Sequence, residues 1–213
     1  MNKNQVLEKI EQSGLVAVVR AESADQAMRI TEACIEGGVA AIELTYTVPG
    51  ATAIIEALAS RYRPEDIIIG AGTVLDPVTA RMAIMAGALY VVSPCLDEDV
   101  VRMCQTYQVA TMPGAMTIRE MVEVMRCGGD VIKLFPGDLF GPSMIKTVKG
   151  PLPQARIMPT GGVSVENAAQ WIQAGAVALG AGSSLTAGAK TGDYGKITET
   201  AKAFIEQIQK ARG

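Results

Sequence analysis

No histidine occurs anywhere among the 213 residues. That absence excludes every hydrolytic triad built on an imidazole and removes the commonest zinc ligand. Aromatic residues are scarce as well, at 4%. The apolar mass, 49% of the chain, therefore comes from Ala, Val, Ile, Leu and Met, which suit strands and helices packed in layers. No apolar run is long enough to span a bilayer. The N-terminal segment from Met1 to Ser13 is polar and lacks the hydrophobic stretch of a signal peptide. Net charge is −3 with no long run of either sign, so there is no electrostatic footprint for nucleic acid. Cys34, Cys95, Cys104 and Cys127 have the spacing of neither a CxxC pair nor a zinc cluster, and read as free thiols in a reducing compartment. A soluble cytoplasmic protein is the default expectation. Its chemistry must rest on Lys, Glu, Asp, Arg, Tyr, Thr or Ser.

What is present is a repeat of two segment types. Short β-rich runs lie at Leu15–Val19, Val39–Thr45, Ile67–Ala71, Ala88–Val92, Val109–Met112, Val131–Phe135, Arg156–Met158 and Ala176–Leu179. Between them come stretches of helical periodicity such as Ala24–Glu36, Ala51–Tyr62, Pro77–Ala86 and Val165–Ala174. Strand then helix, about eight times over, predicts an α/β fold: a single (β/α)8 TIM barrel spanning residues 1–213 as one domain. Ser23, Asp76-Pro77, Thr117 and Ser164 mark helix starts. Gly37-Gly38, Gly87, Gly128-Gly129 and Gly175 precede strands, where a left-handed cap returns the chain to the sheet. The rival, a doubly wound open sheet, lacks its signature, since no GxGxxG or P-loop follows the first run.

Active sites of such barrels sit at the C-terminal strand ends. The sixth run, Val131-Ile132-Lys133-Leu134-Phe135-Pro136, places a lysine among apolar residues, a costly position unless the amine is paired or neutral. Burial should lower its pKa, and a neutral amine attacks a ketone to give a Schiff base. The bland reading is a lysine that snorkels to solvent. In the second run, Glu43 and Thr45 share one parity, Ile42 and Leu44 the other. If the aliphatic pair faces the helices, Glu43 points inward as partner to Lys133, either as acid–base or as a buried ion pair only. Arg20 ends the first run and offers a fork for a carboxylate. Gly70-Ala71-Gly72-Thr73 closes the third. After the seventh and eighth runs come Thr160-Gly161-Gly162-Val163-Ser164 and Gly180-Ala181-Gly182-Ser183-Ser184, the position and composition of a phosphate cradle.

These residues in this order resemble the family of 2-keto-3-deoxy-6-phosphogluconate aldolases, which includes 4-hydroxy-2-oxoglutarate aldolases. The likeness runs from about Leu15 to Leu185. It is carried by Gly38-Val39 with Glu43-Leu44-Thr45, Gly70-Ala71-Gly72-Thr73-Val74, Lys133-Leu134-Phe135-Pro136 and Pro159-Thr160-Gly161-Gly162. The resemblance implies a trimeric class I aldolase that needs neither metal nor cofactor. It would cleave the phosphorylated keto acid to pyruvate and glyceraldehyde 3-phosphate, and 4-hydroxy-2-oxoglutarate to pyruvate and glyoxylate. Lys133 would carry the Schiff base and Glu43 would shuttle protons. Thr73 would contact the pyruvyl part, Phe135 would pack nearby, and Gly161, Gly162 and Ser183 would hold the phosphate, with Thr160 and Gly182 also binding substrate. Two positions depart from the pattern. Thr47 stands where many members carry an arginine, which points to Arg20 as the substitute charge, and Gly137 stands where Ser or Ala is usual. The rivals are a phosphosugar isomerase or synthase without a covalent intermediate, a carboxylate-bound Mg²⁺ aldolase, and a non-catalytic barrel that binds a phosphometabolite.

Overall fold

The computed structural model describes residues Met1–Gly213. Its strands are β1 (Leu15–Val19), β2 (Ala41–Thr45), β3 (Ile68–Gly72), β4 (Tyr90–Val92), β5 (Ala110–Met112), β6 (Gly114–Ala115), β7 (Ile132–Leu134), β8 (Ile157–Pro159) and β9 (Leu179–Ala181). The helices are α1 (Lys3–Ser13), α2 (Ala24–Glu36), α3 (Ala51–Arg61), α4 (Pro77–Met85), α5 (Glu98–Thr106), α6 (Ile118–Arg126), α7 (Ser143–Lys149), α8 (Val165–Gln173), α9 (Ser183–Thr186) and α10 (Tyr194–Arg212). The start signals act as expected. Ser23, Asp76 and Thr117 each accept a backbone N–H three residues on, and Ser164 forms a capping box with Asn167. Gly87 and Gly175 return the chain to the sheet with φ of 99° and 103°, which only glycine adopts without strain.

All ladders are parallel. One sheet has the order β5-β4-β3-β2-β1-β9 and a second the order β6-β7-β8. The sheet is curled, and the seams between its two parts carry hydrogen bonds. Lys133 N donates to Pro113 O (2.9 Å), Val177 N donates to Ile157 O (3.0 Å), and Thr160 bridges Gly180. The break between β5 and β6 falls at Pro113, which has no N–H for a ladder. The last strand starts three residues later than the apolar run at Ala176–Leu179 predicts. It contains Gly180 and Ala181, residues of low strand preference that hid it.

Strand parity separates two cores. Leu15, Ala17, Val19, Ile42, Leu44, Ile69, Ala71, Val91, Ile132, Leu134, Ile157, Leu179 and Ala181 pack outward against the helices. Val16, Ala41, Ile68, Tyr90, Val92, Ala110, Met112, Val131 and Met158 pack inside the curl with Val6, Leu7 and Ile10 of α1. The polar N-terminal segment is thus an amphipathic helix whose one apolar stripe closes the N-terminal end of the curl. The opposite end, where the strands finish, is left for polar residues.

Candidate active site

Parity decides where the lysine and the glutamate go. With Ile42 and Leu44 in the outer core, Glu43 and Thr45 point inward, both fully buried. On the facing side Ile132 and Leu134 pack outward, so Lys133 points in. Lys133 Nζ lies 3.5 Å from Glu43 Oε1, with the two side chains 3% and 0% exposed. That separation makes an ion pair, but it is longer than the ~2.7–2.9 Å of a charge-assisted hydrogen bond. Neither Glu43 oxygen has a hydrogen-bond partner within the protein. The Phe135 ring centroid sits 5.3 Å from the same Nζ, one face of the amine's surroundings.

Two glycines make room for this pair's layer. A Cβ built on Gly72 would lie 2.2 Å from Glu43 Oε1, so the carboxylate rests against the bare β3 backbone. A Cβ on Gly180 would lie 2.2 Å from Thr160 Oγ1. That hydroxyl is buried without a protein partner, and the residue Thr160 lines the site cavity.

The cavity, of about 190 Å³, opens between the ends of β1, β7, β8 and β9. Arg20, Phe135, Thr160, Gly161, Gly162, Gly182 and Ser183 all line it. The two glycine-rich loops therefore converge as the sequence requires. Gly161 and Gly162 are left-handed, with φ of 91° and 67°, and their N–H groups donate to no protein acceptor. The loop is tied down by Asn167 Nδ2 donating to Gly162 O (2.8 Å) and by Ser184 Oγ donating to Val163 O (2.5 Å). Free N–H groups on a fixed loop form a ready anion site. Arg20 is exposed at the mouth and has no ion pair with any carboxylate. It also borders a wider adjoining space of about 520 Å³, lined by Glu22, Gln26, Thr186 and Lys190 among others.

Not every expected residue joins this group. Thr73 follows Gly72 in a left-handed conformation (φ 58°), half-buried, and does not line the cavity. Thr47, at the position of the missing arginine, lies 2.7 Å from Thr45 Oγ1, and Thr45 donates in turn to Val19 O (3.2 Å), one residue before Arg20. The sequence places Tyr90 in a strand run but in no site, and its phenol is buried inside the curl. Burial, and after it the Glu43 charge, pushes that phenol well above its usual range. A strand residue of aromatic type carries no local signal of such a role.

Neither Lys133 nor Glu43 lines the site cavity; Phe135 links the two, with its ring 5.3 Å from Lys133 Nζ and on the cavity wall. A buried Lys–Glu pair can form a covalent imine and move protons around it. The chain is similar to known proteins. The family described as KDPG and KHG aldolase matches residues 6–200. The chain is similar to 2-dehydro-3-deoxy-6-phosphogalactonate aldolase of Escherichia coli K12, 32% identical over 92% of this chain and 95% of that one. It is also similar to 2-dehydro-3-deoxy-phosphogluconate aldolase of Treponema pallidum, 31% identical over 95% and 97%. Among solved structures, KDPG aldolase from Legionella pneumophila, with pyruvate captured as a covalent carbinolamine intermediate, superposes with a TM-score of 0.85 at 26% identity, covering 96% of this chain and 98% of that one. This chain belongs to the KDPG and KHG aldolase family, and it is a lyase.

Proposed function

We propose that the chain is a class I aldolase that reversibly cleaves 2-keto-3-deoxy-6-phosphogluconate, or its galactonate-derived epimer, to pyruvate and glyceraldehyde 3-phosphate, with 4-hydroxy-2-oxoglutarate as a further substrate. The observation that carries this reading is the buried Lys133–Glu43 pair at 3.5 Å, with Phe135 both 5.3 Å from the amine and on the wall of the cavity that the glycine-rich loops line. Lys133 Nζ attacks C2 of the keto acid, and Glu43 passes protons to the departing oxygen until water leaves. The resulting iminium draws electrons from C3. Glu43 takes the proton from the C4 hydroxyl, the C3–C4 bond breaks, and its electron pair forms the enamine of pyruvate. The aldehyde departs. Protonation at C3 and hydrolysis free pyruvate and the amine.

Phe135 covers one side of the imine, Thr160 Oγ1 offers a hydroxyl toward the bound acid, and Arg20 supplies the cation for its carboxylate. Gly161, Gly162, Gly182 and Ser183 hold the phosphate. Phosphate binding far from the reacting bond orients it, which is how remote binding energy reaches the transition state.

The reading extends to the whole molecule. The curled sheet is a closed barrel of eight staves, with β5 and β6 forming one stave interrupted at Pro113, in one domain over 1–213. The enzyme acts as a homotrimer in the cytoplasm. Leu75, Val78, Met82 and Met85 stand 48–68% exposed on and before α4 and form an apolar face suited to contact between copies. No helix is long and apolar enough to cross a membrane. The test is pyruvate release from each of the three acids, followed by a coupled reductase. Release from the phosphorylated acids supports the reading, and none from any acid refutes it.

A further inference from the structure

Three in-register positions on neighbouring strands line the inside of the curl. Glu43 on β2 pairs with Gly70 on β3, and Gly70 pairs with Tyr90 on β4. A Cβ on Gly70 would stand 2.3 Å from Tyr90 Cζ and 2.4 Å from both Cε atoms. The end of the Tyr90 ring therefore occupies the space that any other residue at 70 would fill. It carries the hydroxyl across β3 in the direction of Glu43. Tyr90 is fully buried, and its hydroxyl has no partner in the protein. Both oxygens of Glu43 are likewise without one. An unmatched donor and an unmatched acceptor inside one buried layer are a costly arrangement unless they meet through something.

We propose that Tyr90 is a positioning residue for Glu43, its hydroxyl donating through one bound water to the carboxylate and fixing it beside Lys133. A single water with polar partners on both sides suffices for this in a buried polar site. Burial and the Glu43 charge raise the phenol well above its usual range, so it stays protonated and has an O–H to donate. Held from below by Tyr90 and placed against the bare backbone at Gly72, the carboxylate keeps one oxygen turned to Lys133. Glycine at both 70 and 72 then has one reason: the first admits the tyrosine, the second the glutamate.

The proposal rests on the Schiff-base reading, so the experiment separates the two. Pyruvate incubated with the wild-type enzyme in heavy water exchanges its methyl protons if Lys133 forms the imine and a base acts at C3. Absence of exchange in the wild type refutes the Schiff-base reading itself. With exchange established, Tyr90→Phe keeps the ring over Gly70 and removes only the hydroxyl. The exchange rate and kcat should both fall roughly tenfold to a hundredfold, the scale of one hydrogen bond to a charged group. KM should stay within about twofold, because the phosphate and carboxylate contacts are elsewhere. In a Glu43→Gln background the same change should cost nothing more, since Tyr90 acts through the carboxylate. A Tyr90→Phe enzyme that melts higher than wild type with unchanged exchange and kcat overturns the proposal. So does a loss that adds in full to that of Glu43→Gln.

Discussion

Replacing Lys133 and Glu43 together by methionine asks why a buried charge pair is present at all. Met follows the unbranched stem of either side chain, so packing inside the curl is kept. At 3.5 Å and an effective dielectric near 20, the attraction within the pair is about 5 kcal/mol. Against it stands the removal of two ions from water, which costs several kcal/mol for each. The two terms are of similar size, so the pair contributes little net stability. Breaking it from one side is different. Lys133→Met or Glu43→Met alone leaves an uncompensated buried charge and should cost about 3–5 kcal/mol. The double variant should fall within about 1 kcal/mol of wild type, or exceed it. Urea unfolding of the four proteins at one protein concentration reads these differences directly. All three variants should be inactive. A double variant as unstable as the sum of the two singles would mean that the pair is there for the fold, and the argument from cost to catalysis would fail.

Other consequences follow from the same geometry. Glu43→Gln keeps shape but not proton transfer, and should lower kcat by about a hundredfold or more in a steady-state assay. Arg20 has no carboxylate partner in the protein, so Arg20→Ala should raise KM for pyruvate-forming substrates far more than Arg20→Lys does; equal, small effects would remove it from carboxylate recognition. Gly180→Ala would drive a methyl into Thr160 Oγ1, at 2.2 Å, and should destabilise by about 1–3 kcal/mol while raising KM; a wild-type melting temperature would contradict that. Burial pushes the thiols of Cys34 and Cys104 up to about 12. At pH 8 both are held protonated, so maleimide should label the exposed Cys95 and leave those two unmodified until the protein unfolds, as peptide mapping would show.

Much of the site was legible in the chain because it depends on local parity. Ile42 and Leu44 face the helices, which fixes Glu43 and Thr45 inside. The same alternation at Ile132 and Leu134 fixes Lys133. The glycine-rich loops are recognisable by composition and by their place after the last two strands. What escaped depends on more than one strand. Nothing around Tyr90 shows that its ring crosses a glycine on β3 toward a glutamate on β2, since that needs the register of three strands. The helix α1 hid in a polar segment, because only Val6, Leu7 and Ile10 form its buried stripe. The short strand β6 beyond Pro113 lies outside the run Val109–Met112 that the sequence marks, since Gly114 and Ala115 have low strand preference. Thr73 was placed by motif, and its left-handed turn carries it away from the lining of the cavity.

The central claim is that Lys133 forms a covalent imine with a 2-keto acid. Borohydride reduction in the presence of pyruvate, followed by intact-mass measurement and peptide mapping, tests it most directly. A single pyruvate-sized adduct on Lys133, absent in Lys133→Met, is the predicted result. A folded protein that takes up no adduct, or takes it up at another lysine, would contradict the account.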